Sequence, residues 1–153
     1  MVEGAGREVD ERNRKTRDRF RALGSRLTDV DLARSLDPSW AVSGLMAHVA
    51  FWDRFVLGRW QLSVAAGTRT PRPIEDAALD LINDAALPQW NAVPPRVALE
   101  ECLSAAEELD GFVASLDVDV VEELIRDKRE RLVDRSLHRG EHLETIEAAF
   151  PAP

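Results

Sequence analysis

The placement of proline and the spacing of apolar residues constrain this chain most. Most of its prolines crowd between Pro71 and Pro95, and the longer stretches on either side are nearly free of them. In those stretches apolar residues recur at alternating intervals of three and four, the period of a helix with one buried face. The first stripe, over about Gly6 to Leu27, is Val9, Asn13, Thr16, Phe20, Leu23 and Leu27. Asn13 and Thr16 interrupt it. They mark either an exposed first turn or two residues lining a polar cavity inside a bundle.

Asp37-Pro38-Ser39 breaks the chain, and a second helix is expected from Val42 to Ala66, closed by Gly67. Leu45, His48, Val49, Phe51, Trp52, Phe55 and Val56 fall on its broad face, with Asp53 and Arg54 pointing away. Between Ile74 and Pro95 the spacing predicts a short helix ending before Pro88. A third long helix then starts near Pro95, proline being favoured at a first helical position. Its stripe is Leu99, Cys102, Leu103, Ala106, Leu109, Val113 and Leu116. A short turn over Val120 to Ile125 leads to a fourth long helix, Lys128 to Phe150, with Leu132, Leu143, Ile146 and Phe150 inward and Pro151 as its stop. No strand-like alternation and no linker interrupts this order, so the expectation is an all-α four-helix bundle, one domain over 1–153.

Charge narrows the partners. With 28 acidic against 20 basic side chains the net charge is −8, and such a chain lacks the electrostatic attraction that dominates nonspecific nucleic-acid binding. The basic run from Arg12 to Arg21 is interleaved with acids and reads as a solvated helix face. Cys102 is the single cysteine, which allows no intrachain disulfide and suits a reducing compartment. No apolar run nears the roughly 18 residues of a membrane span, and Met1 to Gly6 lacks the apolar core of a signal peptide. A cytoplasmic protein with neither nucleic-acid nor membrane partners is expected.

The three histidines carry the functional argument. His138 and His142 stand four apart, which on a helix leaves them about 40° apart in azimuth and about 6 Å in rise. Both rings can then reach one ion at Zn–N distances of about 2.0–2.1 Å. His48 falls among Leu45, Val49, Trp52 and Phe55, where a neutral imidazole needs partners for both nitrogens. A metal on one side and a hydrogen bond on the other would supply them, and Gly44, one turn earlier, leaves room beside the ring. A core histidine bonded to a carbonyl or carboxylate is the alternative.

The run Trp40-Ala41-Val42-Ser43-Gly44-Leu45-Met46-Ala47-His48-Val49-Ala50-Phe51-Trp52-Asp53, together with the C-terminal His-x3-His pair, resembles the DinB/YfiT-like superfamily, which includes the mycothiol-dependent maleylpyruvate isomerases. The resemblance spans about residues 10 to 150. It implies one divalent metal ion, zinc or nickel, held by His48, His138 and His142. It also implies a low-molecular-weight thiol of the mycothiol or bacillithiol type that attacks a small electrophile, and dimerisation through bundle helices. The further C-terminal domain of full-length maleylpyruvate isomerases is not expected here.

Three neutral ligands leave coordination positions open, unlike a closed four-ligand structural site. Such an open site can activate either a bound water or a thiolate; with the thiol that the resemblance implies, the function expected is a metal-dependent thiol S-transferase. The alternatives are a metal-dependent hydrolase and a non-catalytic, stress-related bundle that binds a metal or small molecule. Arg135 is the candidate to fork a carboxylate of substrate or thiol, and Trp52 to wall the pocket. Arg131 and Thr145 lie near the histidines in azimuth, and Asp134 is placed to orient one of them. Glu141 points away, and Cys102, on a buried stripe, is not expected to supply the thiol.

Overall fold

The computed structural model describes residues 2–153. Seven α-helices follow in order: α1 (Val2–Arg26), α2 (Asp29–Ala33), α3 (Val42–Ala66), α4 (Asp76–Ala92), α5 (Pro95–Ala114), α6 (Val118–Arg126) and α7 (Ser136–Ala149), with one 3₁₀ turn, Glu130–Leu132, before the last. The all-α expectation holds, and no strand occurs among the described residues. The helix count is larger than four. Helices α1, α3, α5 and α7 close a ring, each packing on two of the others, with α1 opposite α3 and α5 opposite α7. Helix α4 leans on α3, and α6 on α1. No helix is long and apolar enough to cross a membrane.

Local chemistry sets most boundaries. Thr28 and Asp31 form a reciprocal capping box at the start of α2, Gly67 ends α3 in the left-handed region at φ 69°, and Pro95 opens α5. The span of α3 is the one its apolar spacing predicts. Two boundaries differ. Helix α4 runs on to Ala92 through Pro88. Proline there removes only the bond to the carbonyl of exposed Asp84, which water can satisfy, while buried Trp90 and hydrogen-bonded Asn91 hold the last turn. The fourth long helix begins at Ser136 rather than Lys128. Lys128 takes φ 57° in the turn after α6, and the chain is then re-aimed by the 3₁₀ turn.

The apolar core is divided. One cluster joins Phe20, Leu23, Val42, Met46, Val49, Cys102, Leu143 and Ile146. The other joins Val9, Val56, Trp60, Leu109, Val121, Leu124 and Val133. All four ring helices also carry polar residues that are buried: Asn13, Thr16, Asp53, Asp110 and Arg139. Asn13 and Thr16 are thus neither an exposed turn nor cavity lining, but part of a polar layer crossing the core.

Gly44 is where α4 meets α3. A Cβ there would stand 1.9 Å from Asn91 Oδ1. That same oxygen accepts from the Ala41 N–H at 3.1 Å, and Asn91 Nδ2 donates to the Ser39 carbonyl at 2.7 Å. The room left by the glycine is therefore filled by a side chain that satisfies the entry to α3. Gly44→Ala is expected to lower stability by about 1–3 kcal/mol through overpacking and Asn91→Ala by about 1 kcal/mol through lost hydrogen bonds. Urea denaturation of the double variant should show a loss smaller than the sum, because the clashing amide is gone; additive losses would contradict the contact.

Candidate metal centre

His48 rides on the second turn of α3, the most buried helix, and His138 and His142 lie on the first two turns of α7. The structure brings the three together. The Nε2 atoms of His48 and His138 are 3.0 Å apart, those of His138 and His142 3.2 Å, and one ligand nitrogen from each ring fits within 4.8 Å of the others. Three nitrogens bound at about 2.0–2.1 Å in tetrahedral geometry would stand roughly 3.3 Å apart. The donor set fits a divalent ion with small adjustments.

Protonation favours the same use. Burial pushes the pKa of His48 down to about 3, helped by His142 when that ring is protonated and by the positive charge of Arg135. Burial also lowers His138, again with Arg135 and His142 nearby, and lowers His142. All three rings are neutral near pH 7, so their converging lone pairs repel unless a proton or a cation lies between them. The hydrogen bond expected on the far side of His48 is missing: its Nδ1 is buried without a partner. Instead the ring is boxed by Trp90, Trp40 and Trp52, with centroids 4.7, 5.2 and 6.4 Å away.

Arg135 and Asp134 are placed differently from expectation. Arg135 lines the cavity, but its Nε donates to Asp53 at 2.9 Å, one terminal nitrogen to the Arg131 carbonyl at 2.8 Å, and the other contacts His138 Nδ1 at 3.2 Å. A guanidinium held this way has no free fork for a substrate carboxylate. It acts on His138 instead. Arginine can only donate, so in the metal-free protein His138 carries its proton on Nε2. Ligation through Nε2 needs the other tautomer, and the Arg135 contact must open when an ion is held. Asp134 does not touch a histidine. It pairs with Arg12 at 2.8 Å and accepts from the Ser136 backbone at 3.2 Å.

Asp53, expected to point outward, is fully buried and supports the site. Its two oxygens accept from Arg135 and, at 2.8 Å, from Arg139 Nε. Arg139 forks Asp110 at 2.9 and 3.0 Å. Burial works against the Arg139 charge, yet Asp53 and Asp110 raise its pKa. From α1, Asn13 Oδ1 accepts from the backbone N–H of Arg135 at 2.8 Å and Ser136 at 3.2 Å, capping α7 from another helix. The signal for this layer lay in the spacing. Asp53 continues the series Val42, Met46, Val49, Val56, Trp60, and Arg139 stands four before Leu143. A charge in register with a buried stripe implies a buried partner.

A cavity of about 720 Å³ opens beside the histidines. Trp52, Phe55, Ile74 and Leu79 form its apolar wall, and the indole of Trp52 donates to Asn83 Oδ1 at 2.9 Å. Glu141 lines it too, paired with Arg131 at 2.7 Å, although its azimuth had pointed it away. Thr145 is exposed and bonds only its own helix. Cys102 is buried away from the cavity, and burial pushes its thiol pKa up.

A family model described as the mycothiol maleylpyruvate isomerase N-terminal domain matches residues 14–145, most of the chain. The chain belongs to that family. No curated protein and no solved structure matches it.

Asp53→Ala would leave two arginines facing a half-removed counter-charge, and a loss of about 3–5 kcal/mol in urea denaturation is expected. Acid should act through His48. The unfolded chain takes up a proton near pH 6.5, while native His48 refuses it until about pH 3, so stability falls as pH drops between these values. Metal-free protein should lose about 2 kcal/mol by pH 5 on this account. His48→Gln should lose that much less, and equal losses would show that His48 does not contribute.

Proposed function

We propose that His48, His138 and His142 hold one divalent ion, zinc or nickel, and that the protein is a metal-dependent thiol S-transferase. In this reading a low-molecular-weight thiol of the mycothiol or bacillithiol type is joined to a small electrophile in the adjoining cavity. The observation that carries it is the convergence of three neutral imidazole nitrogens at the edge of a cavity large enough for a small molecule. Membership of the mycothiol maleylpyruvate isomerase N-terminal domain family supports the thiol. The burial of Cys102 supports a thiol from outside the chain.

When bound, an ion held by three histidines keeps its full charge and open positions, and so stabilises an anionic sulfur at neutral pH. The chain's own residues do the rest. His48 is fixed by its tryptophan box, which keeps one ligand rigid. Asp53 and Arg135 hold the start of α7, and with it His138. Trp52 and Phe55 exclude water from the wall where the electrophile lies.

Metal analysis of protein made without a histidine tag should find about one zinc or nickel ion per chain, lost in His48→Ala and His142→Ala. The loaded protein should join mycothiol or bacillithiol to 1-chloro-2,4-dinitrobenzene above the background rate, and the two variants should not. Absence of metal after incubation with Zn²⁺ or Ni²⁺ would overturn the site. Turnover of an ester without thiol, and none with it, would favour hydrolysis.

A further inference from the structure

The cavity continues along α3 beyond the histidines, and its other end is cationic. Arg59 lies eleven residues after His48, about 16 Å of helical rise. Its guanidinium, half-buried, donates to the Arg72 carbonyl at 2.7 Å. Arg129, from the turn after α6, reaches the same segment, donating to the Pro71 carbonyl and, at 3.4 Å, to Thr70 Oγ1. Both side chains line the cavity. Among the described residues the pair hydrogen-bonds only to neutral groups, two backbone carbonyls and a hydroxyl.

The other lining arginines are matched: Arg131 by Glu141 and Arg135 by Asp53. Asp80 also lines the cavity, but it is exposed and forms no ion pair with Arg59 or Arg129 among the described residues. In a chain of net charge −8, two half-buried guanidinium groups thus line one cavity with no ion-pair partner among the described residues. Burial, and after it the nearby charges of Arg129 and Arg135, lower the Arg59 pKa. Between this end and the histidines the wall is apolar, formed by Trp52, Phe55, Val56, Ile74 and Leu79.

We propose that Arg59 and Arg129 form a carboxylate-binding subsite, so that the cavity selects small acids with an apolar or aromatic body, carboxylate toward the arginines and reactive end toward the histidines. The assignment rests on the cavity being where the electrophile docks, and not on a metal being bound. A guanidinium fork matches a carboxylate in charge and geometry, and partial burial strengthens that attraction over the same pair in open water.

The test compares 3-phenylpropionate with 3-phenylpropan-1-ol, equal in body and different in charge, by isothermal titration calorimetry. It is run on the protein as purified and again after chelation, which removes any direct binding of carboxylate to an ion. The acid should bind about tenfold more tightly than the alcohol, with an advantage that shrinks as salt is added. In Arg59→Gln and in Arg129→Gln the acid should fall to within about twofold of the alcohol, while alcohol affinity is kept, showing an intact cavity. Arg54→Gln, removing an exposed arginine paired with Glu101 outside this cavity, should keep the full advantage. If one glutamine variant also loses the alcohol, the other decides.

Equal affinities in the wild type, no binding of either compound, or an advantage surviving both substitutions would overturn the subsite. Because chelated protein is used, a failure to find metal sinks the transferase reading without touching this result, and failure here leaves the metal result standing.

Discussion

The structure depends on a layer of charge inside the bundle. Asp53 from α3, Asp110 from α5 and Arg139 from α7 meet with almost no access to water, and Arg135 joins them from the start of α7. Carrying such groups into a core costs several kcal/mol per ion before their attraction is counted, so the arrangement is tolerated only with nearly every donor and acceptor matched. What it supplies is direction. Apolar clusters above and below could accept α7 in more than one rotation, whereas a guanidinium held between two carboxylates accepts one. The rotation that seats Arg139 inward turns its neighbours His138 and His142 toward α3 and His48.

The site inherits its rigidity from this layer and from aromatic packing. Its two halves are held differently. His48 sits on a long helix buried along most of its N-terminal half, boxed by three tryptophans. The α7 pair stands on a short helix whose first N–H groups are met by Asn13 of α1 and by Asp134. A ligand set is effective when its supporting residues are themselves fixed, and here the support comes from α1, α3 and α5 at once. Arg135 links layer and site directly, touching both Asp53 and His138.

Much of the fold was legible because apolar periodicity reports which face of a helix is buried, and α3 and α5 carry that signal along most of their length. The three histidines were legible for the same reason, with a familiar spacing added. The break at 127–135 was not, since no glycine or proline marks it and the turn is set by tertiary contacts to Asn13 and Arg12 of α1. Asp53 and Arg139 were hidden by a habit of reading that assigns charges to the surface. Their register with Met46, Val49, Val56 and Leu143 was visible, but only the fold reveals that the two registers face each other. Arg59 and Arg129 were missed because periodicity does not foresee which arginines lack a counter-charge.

The cavity is assembled from two sets of parts with separate obligations. Its histidine edge is built from α3 and α7, which also carry the charge layer and cannot change without unsettling the core. Its outer wall comes from α4 and the segment before it, exposed for much of its length around Arg72, Pro73 and Glu75 and joined to α3 through contacts such as Asn83 with Trp52 and Asn91 over Gly44. Residues such as Ile74, Leu79 and Asp80 shape the space yet bear none of the bundle's internal load. What the cavity admits can therefore change at these positions without disturbing the three histidines or the charge layer behind them.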